Sequence, residues 1–262
     1  FDIEAFEKAC ADAGSKLKMV SMSQVGNLDG IKIPIKKIAK IAHDHGALVC
    51  VDGAQSTPHM NVDVQDLDID FLAFSIHKMC GPSGMGGLWG RYELLDDLRT
   101  IQSGGQTVKS STYDSIEWAN PPARFEGGLG NFSGMIATGA AIDYLSKIDM
   151  DAVHEHEIRL NTIMTNGIKD LPGIEIIGPL DANKRGGICS ILMDELPAHD
   201  IALLLDEAAG VMVRSGQHCV HSWFNSRGHI NGSLRASAYL YNTEEEARLF
   251  AEIFTEAVHA FS

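Results

Sequence analysis

The stretch ALVCVDGAQ (47–55) is almost wholly apolar until it breaks off in Asp, Gly and Gln. A run of this kind reads as a strand buried on both faces. Such strands belong to parallel sheets whose C-terminal ends open onto ligand sites. DIDFLAFSIHK (68–78) repeats the pattern and ends on a lysine. Upstream, KMVSMS (18–23) is a shorter strand candidate. It precedes a helix that Pro34 opens, that carries Ile35, Ile38, Ile41 and Ala42 on one face, and that Gly46 ends. GMGGLWG (84–90) adds a strand in glycine-rich surroundings. Strands alternating with helices make the fold α/β, with a parallel sheet in its first part.

Residues 91–130 are irregular and long for a connector, with SGGQ at 103–106 and PPARFEGGLG at 121–130. The segment 131–148 and the segment from Asp151 to Leu171 read as helices, the second with Ile158, Met164, Ile168 and Leu171 inward. From about 173 the order becomes strand (IEIIG), loop, strand (ICSILM), helix, strand (VMVR), strand (SLRASA) and a last helix, for which Thr243 and Glu246 form a capping box. A boundary is expected near 148. It divides a larger, partial parallel-sheet domain, 1–148, from a smaller α+β domain, 149–262.

Composition excludes several classes. The 262 residues are 45% hydrophobic, and 21 basic against 35 acidic side chains give a formal charge of -14, which opposes a sequence-independent grip on nucleic acid. No apolar run reaches membrane-spanning length, and FDIEAFEKACADAGSKL at the start reads as an acidic amphipathic helix, so a soluble cytoplasmic protein is expected. The five cysteines form no CxxC pair, so no metal site and no disulfide framework are expected. Cys50 and Cys189 sit inside apolar runs as small buried hydrophobes.

The chemistry-bearing candidates lie at strand ends. Lys78 follows a buried strand with Ser75 and His77 just before it. An amine held near a low-dielectric pocket can condense with an aldehyde, and the neighbouring side chains can contact a phosphate. Position alone leaves a surface lysine equally open. Asp52 could face a protonated ring nitrogen or could be a turn aspartate. Cys219, in VRSGQHC (213–219), could be a nucleophile or an ordinary free thiol, and Arg235 in SLRASA a carboxylate clamp or half of a structural ion pair.

Taken together, VDGAQ followed by FSIHKMCGPSGMGGLW resembles the cofactor-binding core of the class V aminotransferase family, and most closely its group II, Suf-type cysteine desulfurases. The resemblance implies a type I pyridoxal-phosphate-dependent transferase fold. It further implies that Lys78 is the Schiff-base lysine of pyridoxal 5'-phosphate, that Asp52 partners the pyridine nitrogen, that Gln55 partners the phenolic oxygen, and that Ser75 and His77 hold the phosphate. Gln24, in SMSQVGNLDG, stands where the family commonly has an asparagine. RFEGGLGN (124–131) resembles a loop that reaches the partner subunit's site, which implies a homodimer, with Leu129 in place of the usual threonine. VRSGQHC resembles the RxGxHC motif, making Cys219 the sulfur acceptor and placing Arg214 near the substrate, with His218 or His77 able to move protons. SLRASAYLYNT (233–243) resembles the stretch whose arginine, here Arg235, clamps the substrate carboxylate.

The implied activity is desulfuration of L-cysteine to alanine, with a persulfide on Cys219 passed to a sulfur-acceptor protein for iron-sulfur cluster assembly. Selenocysteine lyase, another class V aminotransferase or lyase, and a non-catalytic fragment of the fold are the alternatives. The resemblance runs from about Met19 onward and begins about a third of the way into a typical member. Because VRSGQHC leads almost directly into WFNSRGHINGSLRAS, the thiol is expected on a short segment that an acceptor must reach.

Overall fold

A computed structural model describes residues 1–193 and 196–261. The chain divides into two compact units. The first comprises residues 1–23, 34–54 and 62–147, and the second comprises 24–33, 55–61 and 148–262. The sequence placed a single boundary near 148. The chain also changes unit earlier, at the loops that follow its first two strands.

The first unit opens with helix α1, Ile3–Ala13, whose N-cap Asp2 accepts the Ala5 N–H at 2.9 Å. Strand β1 (Met19–Ser23), helix α2 (Ile35–Asp44) and strands β2 (Leu48–Asp52), β3 (Phe71–Ser75) and β4 (Gly86–Gly90) follow. They form one sheet in the order β1-β2-β3-β4, with β1, β2 and β3 parallel and β4 antiparallel to β3. The parallel sheet expected in this part of the chain is thus present in β1, β2 and β3, and β4 adds an antiparallel edge to it. Only residues 76–85 join β3 to β4, too few for the helical crossover that a parallel neighbour requires.

Burial also departs from the two-sided expectation. Val49 and Val51 are fully buried, whereas Leu48 and Cys50 are half-buried, so β2 alternates. Ile38, Ala39 and Ala42 of α2 are fully buried, as the spacing of its apolar residues requires. Asp70 is buried just before β3. It accepts the Val49 N–H at 2.7 Å and pairs with His43 at 2.9 Å and Arg91 at 3.1 Å, which offsets the cost of burying its charge. The unit ends with a short helix α3 (Tyr92–Asp97), a two-stranded ribbon of β5 (Val108–Ser111) and β6 (Ile116–Trp118), and helix α4 (Phe132–Lys147).

The second unit contains helix α5 (Met150–Ile168), strands β7 (Ile174–Ile176) and β8 (Ile188–Met193), helix α6 (Ala198–Ala209), strand β9 (Arg214–Gly216), helix α7 (His221–Ser226), strand β10 (Ser233–Ser237) and helix α8 (Glu244–Phe261). Its sheet runs β7-β8-β10-β9 with every pair antiparallel. Its core joins Leu160, Ile168, Ile191, Ile201, Leu205, Leu234 and Phe254. The Thr243–Glu246 capping box is present, with reciprocal bonds of 2.8 and 3.2 Å. Two expectations shift. The strand read as VMVR begins only at Arg214, because pairing with β10 sets its limits, and α7 was not foreseen.

The two early segments are tied into this unit by polar contacts. Val25 bridges Lys32, Ile31 bridges Arg185, and Ser190 Oγ donates to the Leu28 carbonyl. His59 Nδ1 meets Glu157 Oε1 at 2.7 Å, and Tyr239 Oη donates to the Pro58 carbonyl at 2.8 Å.

Candidate functional site

In the first unit the site is built at the C-terminal ends of parallel strands. The register sets Ser23 of β1 opposite Asp52 of β2, and Asp52 opposite Ala73 of β3. Asp52 is exposed. One carboxylate oxygen accepts the Ala54 N–H at 2.9 Å and the other lies 3.4 Å from Ser23 Oγ. The acid therefore also serves as a turn aspartate, the local role that the DG dipeptide suggested.

Ser75 ends β3, and the 3-10 turn Ile76–Met79 carries an exposed His77 and a half-buried Lys78. Cys80 closes that turn in the left-handed region (φ 59), and its N–H bonds to the Ile76 carbonyl. At Gly81 a Cβ would lie 2.3 Å from Ile76 Cγ2, so only glycine lets the chain leave so sharply. The strand and its tight exit thus hold Ser75, His77 and Lys78 within one turn, beside Asp52 on the adjacent strand.

The loop from Arg124 is anchored in the same unit. Arg124 Nη2 donates to the Leu95 carbonyl at 2.7 Å and meets Asp96 Oδ1 at 3.1 Å, and the Gly128 N–H bonds to the Gly105 carbonyl at 2.9 Å. Leu129 is 86% exposed.

The second unit gathers the other candidates. Arg214 of β9 stands directly opposite Arg235 of β10. Like charges paired across strands oppose each other unless an anion lies between them. Burial and Arg214 together push the Arg235 guanidinium below its usual range, and a thiolate at Cys219 would act in the opposite direction. Arg235 Nη1 donates to the Asn27 carbonyl at 2.8 Å, and its Nε has no hydrogen-bond partner among the described residues.

Cys219 is exposed, while its neighbour His218 is 1% exposed. His218 Nε2 lies 3.2 Å from the Ser233 carbonyl and 3.0 Å from Ser233 Oγ. A carbonyl can only accept, so Nε2 carries the proton and Nδ1 is left as a buried lone pair without a hydrogen-bond partner among the described residues. Burial first, then Arg235 and Arg214, lower the His218 pKa to about 4. At neutral pH this ring is an uncharged acceptor.

Gln24 is buried with its Oε1 unpartnered among the described residues, and Gln55 is half-buried at the start of the second early segment. His221 is exposed, and among the described residues no group of three or more His, Cys, Asp or Glu side chains is placed to hold a metal ion. Nor is any helix there long and apolar enough to cross a membrane. Sequence reasoning missed Asn27, which touches both Arg235 and the His218 backbone, and the His59–Glu157 pair. An asparagine within the glycine-bearing loop GNLDG was the available signal for Asn27.

These features define an α/β protein with a lysine and an acid at neighbouring strand ends in one unit, and a thiol beside paired guanidinium groups in the other. The family described as aminotransferase class-V matches residues 1–250, and the chain belongs to it. It is 40% identical over 254 residues to a probable cysteine desulfurase of Halalkalibacterium halodurans, covering 95% of this chain and 60% of that protein. It is 39% identical to a cysteine desulfurase of Haloferax volcanii, covering 94% of this chain and 57% of that one. The apo structure of a cysteine desulfurase from Thermococcus onnurineus NA1 superposes with a TM-score of 0.92 at 36% identity, over 99% of this chain and 64% of the other. The chain thus spans about 60% of the length of the curated relatives it matches.

Proposed function

We propose that the chain carries the two half-sites of a pyridoxal-phosphate-dependent L-cysteine desulfurase. In this reading residues 1–148 are part of the large cofactor-binding domain and 149–262 form the small domain that carries the acceptor thiol. The observation that carries it is the cross-strand pair Arg214 and Arg235, with the exposed Cys219 on the turn that directly follows β9. That arrangement suits a substrate bearing both a carboxylate and a sulfur. The names of the relatives point the same way.

The residues present suit the cofactor. Lys78 would anchor it, with Ser75 and His77 at its phosphate, Asp52 at its ring nitrogen, Gln55 at its phenolic oxygen, and the unpartnered Oε1 of Gln24 available as a further polar contact. When bound, the group supplies an electron sink for negative charge at the substrate α-carbon. The protein's own groups do the rest. Arg235, aided by Arg214, clamps the substrate carboxylate. The Cys219 thiolate attacks the substrate sulfur. The new S–S bond forms as the C–S bond breaks, the electron pair of that bond stays on the carbon fragment, and protonation there gives alanine. His218, the residue before Cys219 and uncharged at neutral pH, would be the candidate proton acceptor.

The persulfide would pass to a sulfur-acceptor protein for iron-sulfur cluster assembly, from a cytoplasmic homodimer to which the loop 124–131 contributes; selenocysteine would fit the same clamp. In the purified chain supplied with pyridoxal phosphate and cysteine, Lys78→Ala should lose the visible absorbance of the lysine-linked cofactor. Cys219→Ser should retain that absorbance and lose sulfur release. Undiminished sulfur release by Cys219→Ser refutes the reading.

A further inference from the structure

We propose that His59, seated on the buried Glu157, is a positioning residue for Gln55: it fixes the segment on which that amide is carried. The inference rests on the reading of Gln55 as the contact to the cofactor's phenolic oxygen. It adds a residue that neither the motifs nor the strand pattern assigns.

Gln55 opens the segment 55–61, which belongs to the second unit although the residues on either side of it belong to the first. From Ser56 onward the segment is one tight turn. The Ser56 carbonyl accepts the His59 and Met60 N–H groups, each at 3.0 Å, and Ser56 is fully buried. Pro58 inside the turn removes a further backbone freedom. Little slack is left between Gln55 and His59, so whatever fixes the histidine also fixes the start of the segment.

Three contacts do so, all within the second unit. His59 Nδ1 meets Glu157 Oε1 of α5 at 2.7 Å. The His59 ring stands edge-on to Tyr239, with centroids 4.7 Å apart and planes at 73°, and Tyr239 Oη donates to the Pro58 carbonyl at 2.8 Å.

The first contact is the costly one. Glu157 is 0% exposed, and its Oε2 has no hydrogen-bond partner among the described residues. His59 and the Gly187 N–H offset the burial of this carboxyl. Moving His59 from its seat would strand the acid, so the pair resists any displacement of the turn. A fully buried acid is an expensive tether for a short excursion between two strands, and what it tethers begins with Gln55.

The experiment has two arms on the purified chain. In the first, without cofactor, amide hydrogen exchange of residues 55–61 is followed by mass spectrometry. Exchange should quicken about tenfold or more in His59→Ala and in His59→Gln, whose amide reaches past the place of Nδ1. It should stay near the wild-type rate in His59→Asn, whose amide stands at that place. Should His59→Ala fail to fold, His59→Gln carries the test, and unchanged exchange there overturns the proposal. In the second arm the chain is loaded with pyridoxal phosphate and its visible absorbance is titrated with pH. An N–H given to a phenolate oxygen favours the charged form, so Gln55→Ala should raise the pH of the absorbance change by about half a unit or more. His59→Gln should raise it in the same direction, His59→Asn should not, and His59→Gln added to Gln55→Ala should add nothing. A merely structural histidine would leave the titration at its wild-type position, and that result, with Gln55→Ala shifted, overturns the proposal. A titration that ignores Gln55→Ala, or a wild-type chain without visible absorbance, strikes the proposed function instead, and the exchange arm then decides alone whether His59 holds the segment.

Discussion

Protonation of His218 should destabilise the fold by an amount that the structure lets one work out. The ring is 1% exposed, and burial followed by Arg235 and Arg214 lowers its pKa from 6.5 to about 4. A histidine whose folded pKa lies below its unfolded value stabilises the fold while neutral. That contribution is complete above the unfolded pKa and is lost as the pH falls from there through the folded one. The whole displacement corresponds to roughly 3 kcal/mol, of which about 2 kcal/mol is lost between about pH 7.5 and pH 5. Urea unfolding of the chain at those two pH values supplies the total change, to which other groups also contribute. His218→Gln isolates the part due to this ring, because the amide can still donate to the Ser233 carbonyl but does not titrate. The wild-type chain should lose about 2 kcal/mol more than the variant over that interval. Equal losses would refute the reasoning, since the burial and the two guanidinium groups would then not be acting on this ring.

Three further outcomes are expected. Gly232→Ala should destabilise the chain by about 2 kcal/mol or more in denaturant, because φ is +77 and the new Cβ would lie 2.3 Å from the Gly216 carbonyl carbon, which cannot yield. His59→Ala should cost roughly 3 kcal/mol by leaving the fully buried Glu157 without its imidazole partner, whereas Lys36→Ala, which breaks an exposed ion pair with Asp66, should cost under about 0.5 kcal/mol by the same measurement. Arg235→Lys keeps the charge but loses the planar fork. Sulfur release should then show a KM for cysteine raised about tenfold or more, with a smaller change in kcat.

The sheet of the first unit was legible because its signal is local. An apolar run that stops abruptly in Asp, Gly and Gln marks both a strand and its functional end, and β2 and β3 stand where those runs lie. The direction of β4 was not read from the sequence, since glycine-rich composition is the same for either direction and only the length of the connection distinguishes them. The inward face of α5 was half hidden. Met164 and Ile168 are buried as its spacing required, yet Glu157, Asn161 and Thr165 are buried on the same helix, and a search for apolar periodicity passes over them. Each is admitted by a partner far away in sequence: His59 for Glu157, the Gly186 and Ile188 carbonyls for Asn161, and Arg185 for Thr165.

The same limit governed the site. Lys78, Asp52 and Cys219 are chemically conspicuous at the ends of short motifs. His59 is not, because what it does depends on a carboxyl 98 positions away. A short excursion between two strands has to be held by something outside itself, and no residue type reserves that task. The sequence VDGAQ could therefore announce an acid and an amide at a strand end, but not which side chain keeps the amide in place.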